Sequence, residues 1–485
     1  MLNLKTIAKI IGALLGLEAL LMSVCLCVSL LYQDKDIIAF IWSILITIVA
    51  GGAFRLMGRH ANNTISRRDA YFVVAVTWII FSLFGTLPFL ISGHITSFTN
   101  AFFETMSGFT TTGASIVDFP EYFPKGLLFW RSLTQWIGGL GIVFFTIAIL
   151  PSLVGGSLKV FAAEATGPIK SKLHPRLSMG AKWIWMVYFV LTAACVVSYK
   201  VCGMNWFDAF NYAMTSTATG GFSTESASIA TFHSPAEEYV CTIFCFLSGV
   251  NFTLLYTSVA GFKLKAMLKN SEFKFYAAMT AGFTLFIMLE LIFRCNYEVE
   301  HAFRSSAFQV VSFITTTGLF SDDAAKWPHV TWVVLAACMF FGGSSGSTSG
   351  GIKSIRGVML VKVIKNEFRQ ILHPNAVLPM KVDGYNVQMS KRVTLLAFIG
   401  LYLFLAVICA FTMIAAGIDS TNSMTITLSS LGNVGPTLGL EIGPTMSWNE
   451  LPDFAKWISS FLMLVGRLEL FSVLVLFTPS FWKEN

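Results

Sequence analysis

Four short stretches rich in threonine and glycine carry the residues of this chain that could do chemistry. Thr110-Thr111-Thr112-Gly113 follows Met106-Ser107-Gly108-Phe109, and Thr217-Ala218-Thr219-Gly220-Gly221-Phe222 follows Tyr212-Ala213-Met214-Thr215-Ser216. Phe313-Ile314-Thr315-Thr316-Thr317-Gly318-Leu319-Phe320 is the third, and Leu431-Gly432-Asn433-Val434-Gly435-Pro436 is the fourth. Aligning Gly113, Gly220, Gly318 and Gly435 gives spacings of 107, 98 and 117 residues, an internal four-fold repeat. A short backbone of this kind, with no carboxylate, can aim successive carbonyl oxygens at a dehydrated cation, and glycine supplies the dihedral freedom required. One such stretch would suit an ordinary turn. Four at near-equal spacing, each behind a half-length apolar segment, point to a cation site. Its candidate ligands are Thr111, Thr112 and Gly113; Ala218, Thr219 and Gly220; Thr316, Thr317 and Gly318; and Asn433, Val434 and Gly435.

Two further features could act on an ion. Gly342-Gly343-Ser344-Ser345-Gly346-Ser347-Thr348-Ser349-Gly350-Gly351 interrupts the apolar segment 331–360. Five glycines and no apolar side chain cannot stay helical when each glycine costs about 1 kcal/mol, so the helix is expected to break at membrane depth, on the inner side of the filter. An ordinary cytoplasmic loop is the alternative, but it leaves the preceding apolar run too short to span. Arg467 lies inside the last apolar segment, where a charge requires a cavity or a partner; it could bond the hydroxyls and carbonyls of that glycine/serine loop, or snorkel to the interface. Glu469 is two residues on and is expected to point elsewhere. Arg131 lies at the outer end of its segment, where interfacial anchoring suffices.

The elements that must position these residues follow from composition. The chain has 485 residues, 55% hydrophobic and only 12% charged, with mean hydropathy +0.69; a soluble protein carries about 25% charge. It reads as an all-α polytopic membrane protein. Apolar segments long enough to cross fall at 8–32, 37–57, 70–92, 127–153, 181–203, 238–261, 274–295, 331–360, 392–417 and 455–478. Shorter ones at 97–109, 206–217, 302–314 and 421–430 suit re-entrant half-helices. The expected plan is a leading helix pair (1–66) and four pseudo-symmetric repeats (67–175, 176–268, 269–385 and 386–485). Each repeat is span, half-helix, filter loop and span, arranged around one pore. Non-helical backbone at that depth is tolerable where it lines a polar cavity.

One set of connections is basic, with Arg59, Arg67, Arg68, Lys159, Lys170, Lys172, Arg176, Lys182, Lys263, Lys265, Lys269, Lys274, Lys362, Lys365 and Arg369. The alternate set leans acidic, with Asp118, Glu121, Glu225, Glu237, Glu238, Asp322, Asp323, Glu441, Glu450 and Asp453. The positive-inside rule then puts both termini in the cytoplasm, and the net charge of +7 is not read as nucleic-acid affinity. Half-helices entering from outside would point their partially negative C-terminal ends inward, which favours a central cation. The acidic residues would concentrate cations at the mouth, or are simply solvated. The basic stretch 360–391 suits a docking partner or lipid headgroups equally. The nine cysteines show no zinc spacing and read as buried free thiols. Nucleophile elbow, Walker loop and His-Glu-x-x-His are all missing, which argues against an enzyme, a membrane-embedded hydrolase included. A sensor without transport is a further alternative.

Taken together, the four filter stretches, the glycine/serine loop running into Ile352-Lys353-Ser354-Ile355-Arg356, Phe129-Trp130-Arg131-Ser132-Leu133-Thr134-Gln135-Trp136-Ile137-Gly138-Gly139-Leu140-Gly141, and Gly466-Arg467-Leu468-Glu469 resemble the Trk/Ktr superfamily of potassium transporters, specifically its TrkH-type membrane subunits. The resemblance covers essentially the whole chain. It implies potassium uptake across the bacterial inner membrane, with K+ as the transported and filter-bound ion and no organic cofactor on this chain. It also implies a homodimer and a cytoplasmic nucleotide-binding regulatory subunit of the TrkA type. In the family the loop of the third repeat gates the pore, the arginine of the fourth repeat faces it, and glycine at the position of Gly113 favours potassium over sodium. The chain departs from the family at Thr437, where a second glycine is expected after Pro436. Channel-like conduction and ion-coupled symport are not separated by sequence; coupled transport usually shows intramembrane carboxylates, and with Glu290 and Glu469 the only clear ones read within spans, channel-like passage is favoured.

Overall fold

The computed structural model describes residues 2–59, 61, 65–141, 177–261, 264–438 and 447–483. Lys159, Lys170, Lys172, Arg176, Lys263 and Glu441 lie outside them, as does the far part of the segment read at 127–153. Among the described residues the regular structure is helical apart from a short hairpin, Lys381–Val382 with Tyr385–Asn386. Leu4–Tyr32 and Ile37–Met57 form the leading pair. Most of the second helix's apolar surface is unburied within the chain, as expected of a face turned to lipid.

Four half-helices follow the spans of the repeats: Phe98–Phe109, Trp206–Ala218, Val299–Ile314 and Ser420–Gly432. Their starts are set locally, by side-chain caps from Ser97, Asn205 and Asp419 on three of the four. Each packs against three other helices in a cyclic pattern. The first touches Arg67–Gly85 and Lys125–Leu140 of its own repeat and Asp453–Arg467 of the fourth. The second touches Leu177–Val201, Pro235–Ser248 and, from the first repeat, Lys125–Leu140. The third touches Ser271–Cys295, His329–Phe340 and Pro235–Ser248, and the fourth Met389–Ala415, Asp453–Arg467 and His329–Phe340. Every half-helix is thus wedged between the inner helix of its own repeat and that of the preceding one, and the fourth repeat closes onto the first. Large side chains drive the wedging. Phe109 meets Phe81 and Trp130 edge-on, with ring centroids 5.5 and 6.1 Å apart, and the Trp130 indole donates to Gly85 O at 3.1 Å.

The inner helices differ from the continuous spans expected. Six described helices are long and apolar enough to cross a membrane, or up to eight if each bent pair is one span. The segment at 238–261 is Pro235–Ser248 and Phe252–Val259 bent by 102°, and that at 455–478 is Asp453–Arg467 and Leu470–Phe477 bent by 113°. His329–Phe340 stops at the glycine/serine loop and the chain resumes helix only at Ser354–Leu372, so the break read at 342–351 is where the sequence puts it. Lys125–Leu140 ends at Gly141, whose φ is +85°. The breaks at Gly249-Val250-Asn251 and Leu468-Glu469 carry too little glycine or proline to announce themselves; they form because tertiary partners take up the freed backbone groups.

Candidate ion filter and intramembrane loop

Each half-helix ends in the same hydrogen-bonded turn. Thr111, Thr219, Thr316 and Asn433 are left-handed, with φ between 54° and 58°. The next residue donates its N–H five residues back: Thr112 to Ser107 O at 2.9 Å, Gly220 to Thr215 O at 2.9 Å, Thr317 to Ser312 O at 2.7 Å and Val434 to Ser429 O at 2.9 Å. This is the helix-ending turn that usually takes glycine. Here three β-branched threonines adopt it, at a cost of roughly 1–2 kcal/mol each, which is stored only where surroundings over-determine the backbone. Two residues after the left-handed one comes a glycine at positive φ: Gly113, Gly221, Gly318 and Gly435. The backbone therefore equates Gly221, not Gly220, with the other three, and Ala218 is the last residue of its half-helix. The second strand is Thr219-Gly220-Gly221, one residue later than sequence alignment of the glycines gives.

These strands close into a ring. A Cβ on Gly113 would collide with the carbonyl oxygen of Gly220, one on Gly221 with Thr317 O, one on Gly318 with Val434 O, and one on Gly435 with Thr112 O. Four equivalent glycines thus lie against four equivalent carbonyls, each on the next repeat, in cyclic order. Side chains brace the ring. Thr110 and Thr112 share a hydroxyl contact of 2.8 Å, as do Thr315 and Thr317. Asn433 Nδ2 donates to Thr112 Oγ1 at 3.0 Å and to Met463 O at 2.8 Å. The second repeat has glycine where the others have Thr112, Thr317 and Val434, because Gln135 fills that volume; Gln135 donates to Gly220 O at 2.7 Å and accepts from Phe222 N at 3.0 Å. A hollow is lined by all four positive-φ glycines. Thr437 is fully buried just past the fourth strand.

The loop of the third repeat lies beneath this ring and is held by other elements. Thr348 Oγ1 donates to Thr217 O at 3.1 Å, and Gly350 N to Thr316 Oγ1 at 2.6 Å. Ser344 N donates to Gly249 O at 2.8 Å and Phe252 N to Gly346 O at 3.1 Å, so the break in the second inner helix is the loop's counterpart. Gly342 and Gly343 are buried at the loop's base, which closes through Gly342 N to Ile352 O at 2.9 Å and Ser354 N to Gly343 O at 3.0 Å. Glu272, on the third outer span, accepts from Ser345 N at 2.5 Å, Ser345 Oγ at 3.0 Å and Ile355 N at 3.1 Å. Ser347 bonds within the loop to Ser344 O at 2.6 Å and Ser349 Oγ at 3.0 Å, and Gly351 turns the chain out at φ +64°.

Arg467 meets the loop as expected, donating from Nη1 to Thr348 O at 2.7 Å. It has partners the sequence did not suggest: Nη2 donates to Gly138 O at 2.5 Å and Gly139 O at 2.6 Å, carbonyls at the C-terminal end of the first inner helix. Ends of half-helices and inner helices converge here, and their partial negative charge suits either a cation or this guanidinium. Lys353, which is buried, brings a second cation to the same place, its ammonium donating to Ser349 O.

Glu469 points away from Arg467, as expected, and its partner is Arg356 at 2.6 Å. Other expectations are corrected. Arg131 is buried, not interfacial, and pairs with Glu104 at 2.8 Å. Carboxylates at membrane depth are more numerous than Glu290 and Glu469: Glu18, Glu104 and Glu272 are all buried. Glu237 and Glu238, read as outer rim, are buried too, Glu238 against Arg304 at 2.7 Å. The cysteines are free, but Cys27 is exposed. Glu272, Lys353 and Gln135 could not be singled out from sequence. A charge two to four residues from a helix end reads as a cap or an anchor until its distant partner is known.

Residues 36–484 match the model of a family described as TrkH, cation transport protein. The chain is 36% identical over 484 residues to the Trk system potassium uptake protein TrkH of Halomonas elongata, covering 99% of this chain and 100% of that protein. It is 34% identical over 487 residues to the Trk system potassium uptake protein TrkH of Escherichia coli K12, again over 99% and 100%. Its structure is similar to the crystal structure of the potassium transporter TrkH from Vibrio parahaemolyticus, with a TM-score of 0.89, 34% identity and 99% of both chains covered.

Proposed function

Because this chain belongs to the TrkH family of cation transport proteins, which are transporters and not enzymes, we propose that it takes up potassium across the bacterial inner membrane through the ring of four filter strands. K+ sheds water at the ring and is held by the carbonyls of the residues at 111–113, 219–221, 316–318 and 433–435. The observation that carries this reading is the cyclic contact of four equivalent glycines with four equivalent carbonyls, a geometry that a turn of structural purpose has no reason to repeat. Passage is closed by the loop at 342–351, held by Arg467. A charge-assisted hydrogen bond of this kind contributes about 1.5–3 kcal/mol net, enough to bias an open–closed equilibrium by roughly ten- to hundredfold. Opening then requires a force on the loop. A cytoplasmic TrkA-type nucleotide-binding subunit acting on a homodimer would supply it, with both termini of this chain on the cytoplasmic side. The printed names of the relatives, components of a Trk system, support such a partner.

Channel-like conduction is the simpler mechanism, since the filter strands carry no titratable ligand. Ion-coupled symport is favoured by one observation: both carboxylate oxygens of Glu18, buried in the leading pair, lack a hydrogen-bond partner, as a proton-carrying site would require. Radioactive rubidium uptake into proteoliposomes, with and without an imposed potential and with and without a proton gradient, distinguishes the two. Channel-like passage follows the potential alone. Uptake absent under every condition, including when the loop is shortened, would remove the potassium reading altogether.

A further inference from the structure

We infer that Glu104 and Arg131 are positioning residues for selectivity: this buried pair clamps the outer ends of the first and second filter strands to one another and fixes the width between them. The inference rests on reading the strands as an ion filter. Glu104 belongs to the first half-helix and Arg131 to the inner helix that follows; their side chains are 1% and 2% exposed. Their remaining bonds run into the residues just beyond the strands. Glu104 accepts from Ile116 N at 2.9 Å and Ser115 Oγ at 3.0 Å. Arg131 donates from Nη2 to Ser115 Oγ at 2.9 Å and from Nη1 to Ser223 O at 2.9 Å, and its guanidinium lies 4.4 Å from the centre of the Phe222 ring. One ion pair thus grips the first strand by main chain and hydroxyl and the second by carbonyl and ring. Between these grips lie Gly113 and Gly220, already in backbone contact.

The third strand is held differently, by neutral bonds from Ser312 Oγ to Leu319 O at 2.5 Å and from Phe320 N to Ser228 Oγ at 3.4 Å. A carbonyl ring rejects a smaller cation only if it resists contraction onto it. A buried pair with its donors and acceptors engaged has a fixed geometry, whereas removing one partner strands a charge. The pair also carries no net charge, so Arg131 reaches the hollow without a repulsive field at the mouth.

The test uses the full chain in liposomes, with uptake of radioactive rubidium and sodium measured for the parent, Glu104→Gln, Arg131→Lys, Ser115→Ala and Gly113→Ser. Glu104→Gln and Arg131→Lys are expected to lower the rubidium-to-sodium ratio about tenfold, the scale of one charge-assisted hydrogen bond. They are also expected to lose rubidium flux on withdrawal of K+ and regain it when K+ returns. Ser115→Ala, which leaves both charges paired, shifts the ratio the same way by less, and it decides the matter if the pair variants do not fold. A purely structural role would lower yield and total flux while leaving the ratio and the K+ dependence unchanged. Unchanged ratios in every folded clamp variant, beside a lowered ratio in Gly113→Ser, overturn the clamp and leave the filter standing. Ratios unchanged in all of them, Gly113→Ser included, overturn the filter reading and the clamp with it.

Discussion

The filter ring and the loop beneath it are both glycine-rich, non-helical and buried, yet they are held in opposite ways. Each filter strand is fixed first by its own half-helix, through a bond five residues back that recurs four times with donor–acceptor distances of 2.7–2.9 Å. The loop occurs once, and its bonds run to the second half-helix, the third filter strand at Thr316, the break in the second inner helix, Glu272 and Arg467. A locally closed turn keeps its shape when neighbours shift. A segment held by distant partners moves when any of them moves, and its hydrogen bonds are replaceable by water or ions. The difference suits a rigid selective element set against a displaceable barrier.

The contrast breaks most visibly at the loop. Deleting 345–349 should raise rubidium flux in liposomes about a hundredfold without any regulatory partner, since the loop's bonds to the second half-helix, to Glu272 and to Arg467 go with it. Arg467→Ala should act in the same direction, roughly tenfold to a few tens, because it bonds the loop at Thr348 as well as Gly138 and Gly139. In both variants the rubidium-to-sodium ratio should match the parent; a changed ratio would mean that loop and ring are one mechanical unit. At the ring the signs reverse. Gly113→Ser places a Cβ against Gly220 O and should reduce potassium-over-sodium preference about tenfold by reversal potential, with the loop-controlled rise in flux intact. The smallest effect is expected at Glu272→Gln, which keeps the side chain's shape but weakens two bonds to the loop at Ser345 and one to Ile355 just beyond it. A gain in basal flux of about fivefold, near 1 kcal/mol, would place Glu272 among the loop's restraints, and parental flux would exclude it.

Arg131 and Arg467 teach the same lesson at the level of single residues. Sequence ranks Arg467 as the functional charge, because it sits mid-segment, and dismisses Arg131 as an anchor near a helix start. In the structure Arg131 is the more completely buried of the two and has a carboxylate partner 27 positions away, in Glu104. Position along an apolar segment measures depth only for a straight helix that crosses the whole membrane. Lys125–Leu140 has 16 residues and packs against two half-helices, so its first turns are already inside the protein. The one-residue register error in the second repeat has a similar origin: Gly220-Gly221 offers two glycines, and the choice between them is made by Gln135, which occupies the space of a side chain at 220.

Sequence alone determined what depends on short range and on solvent. Hydropathy marked the outer spans and the half-helices within a few residues, since burial of apolar length in lipid does not depend on the partner. The four threonine/glycine stretches were legible because close backbone approach and positive φ select glycine wherever they occur, and the glycine run at 342–351 announced its own break. Only the tertiary structure decided which carbonyls meet which glycines, that Pro235–Ser248 and Asp453–Arg467 bend away at their ends, and which of the buried charges pair. Those outcomes rest on backbone groups freed at a helix end finding donors from another repeat, and a donor a hundred residues away leaves no periodicity in the chain that accepts it.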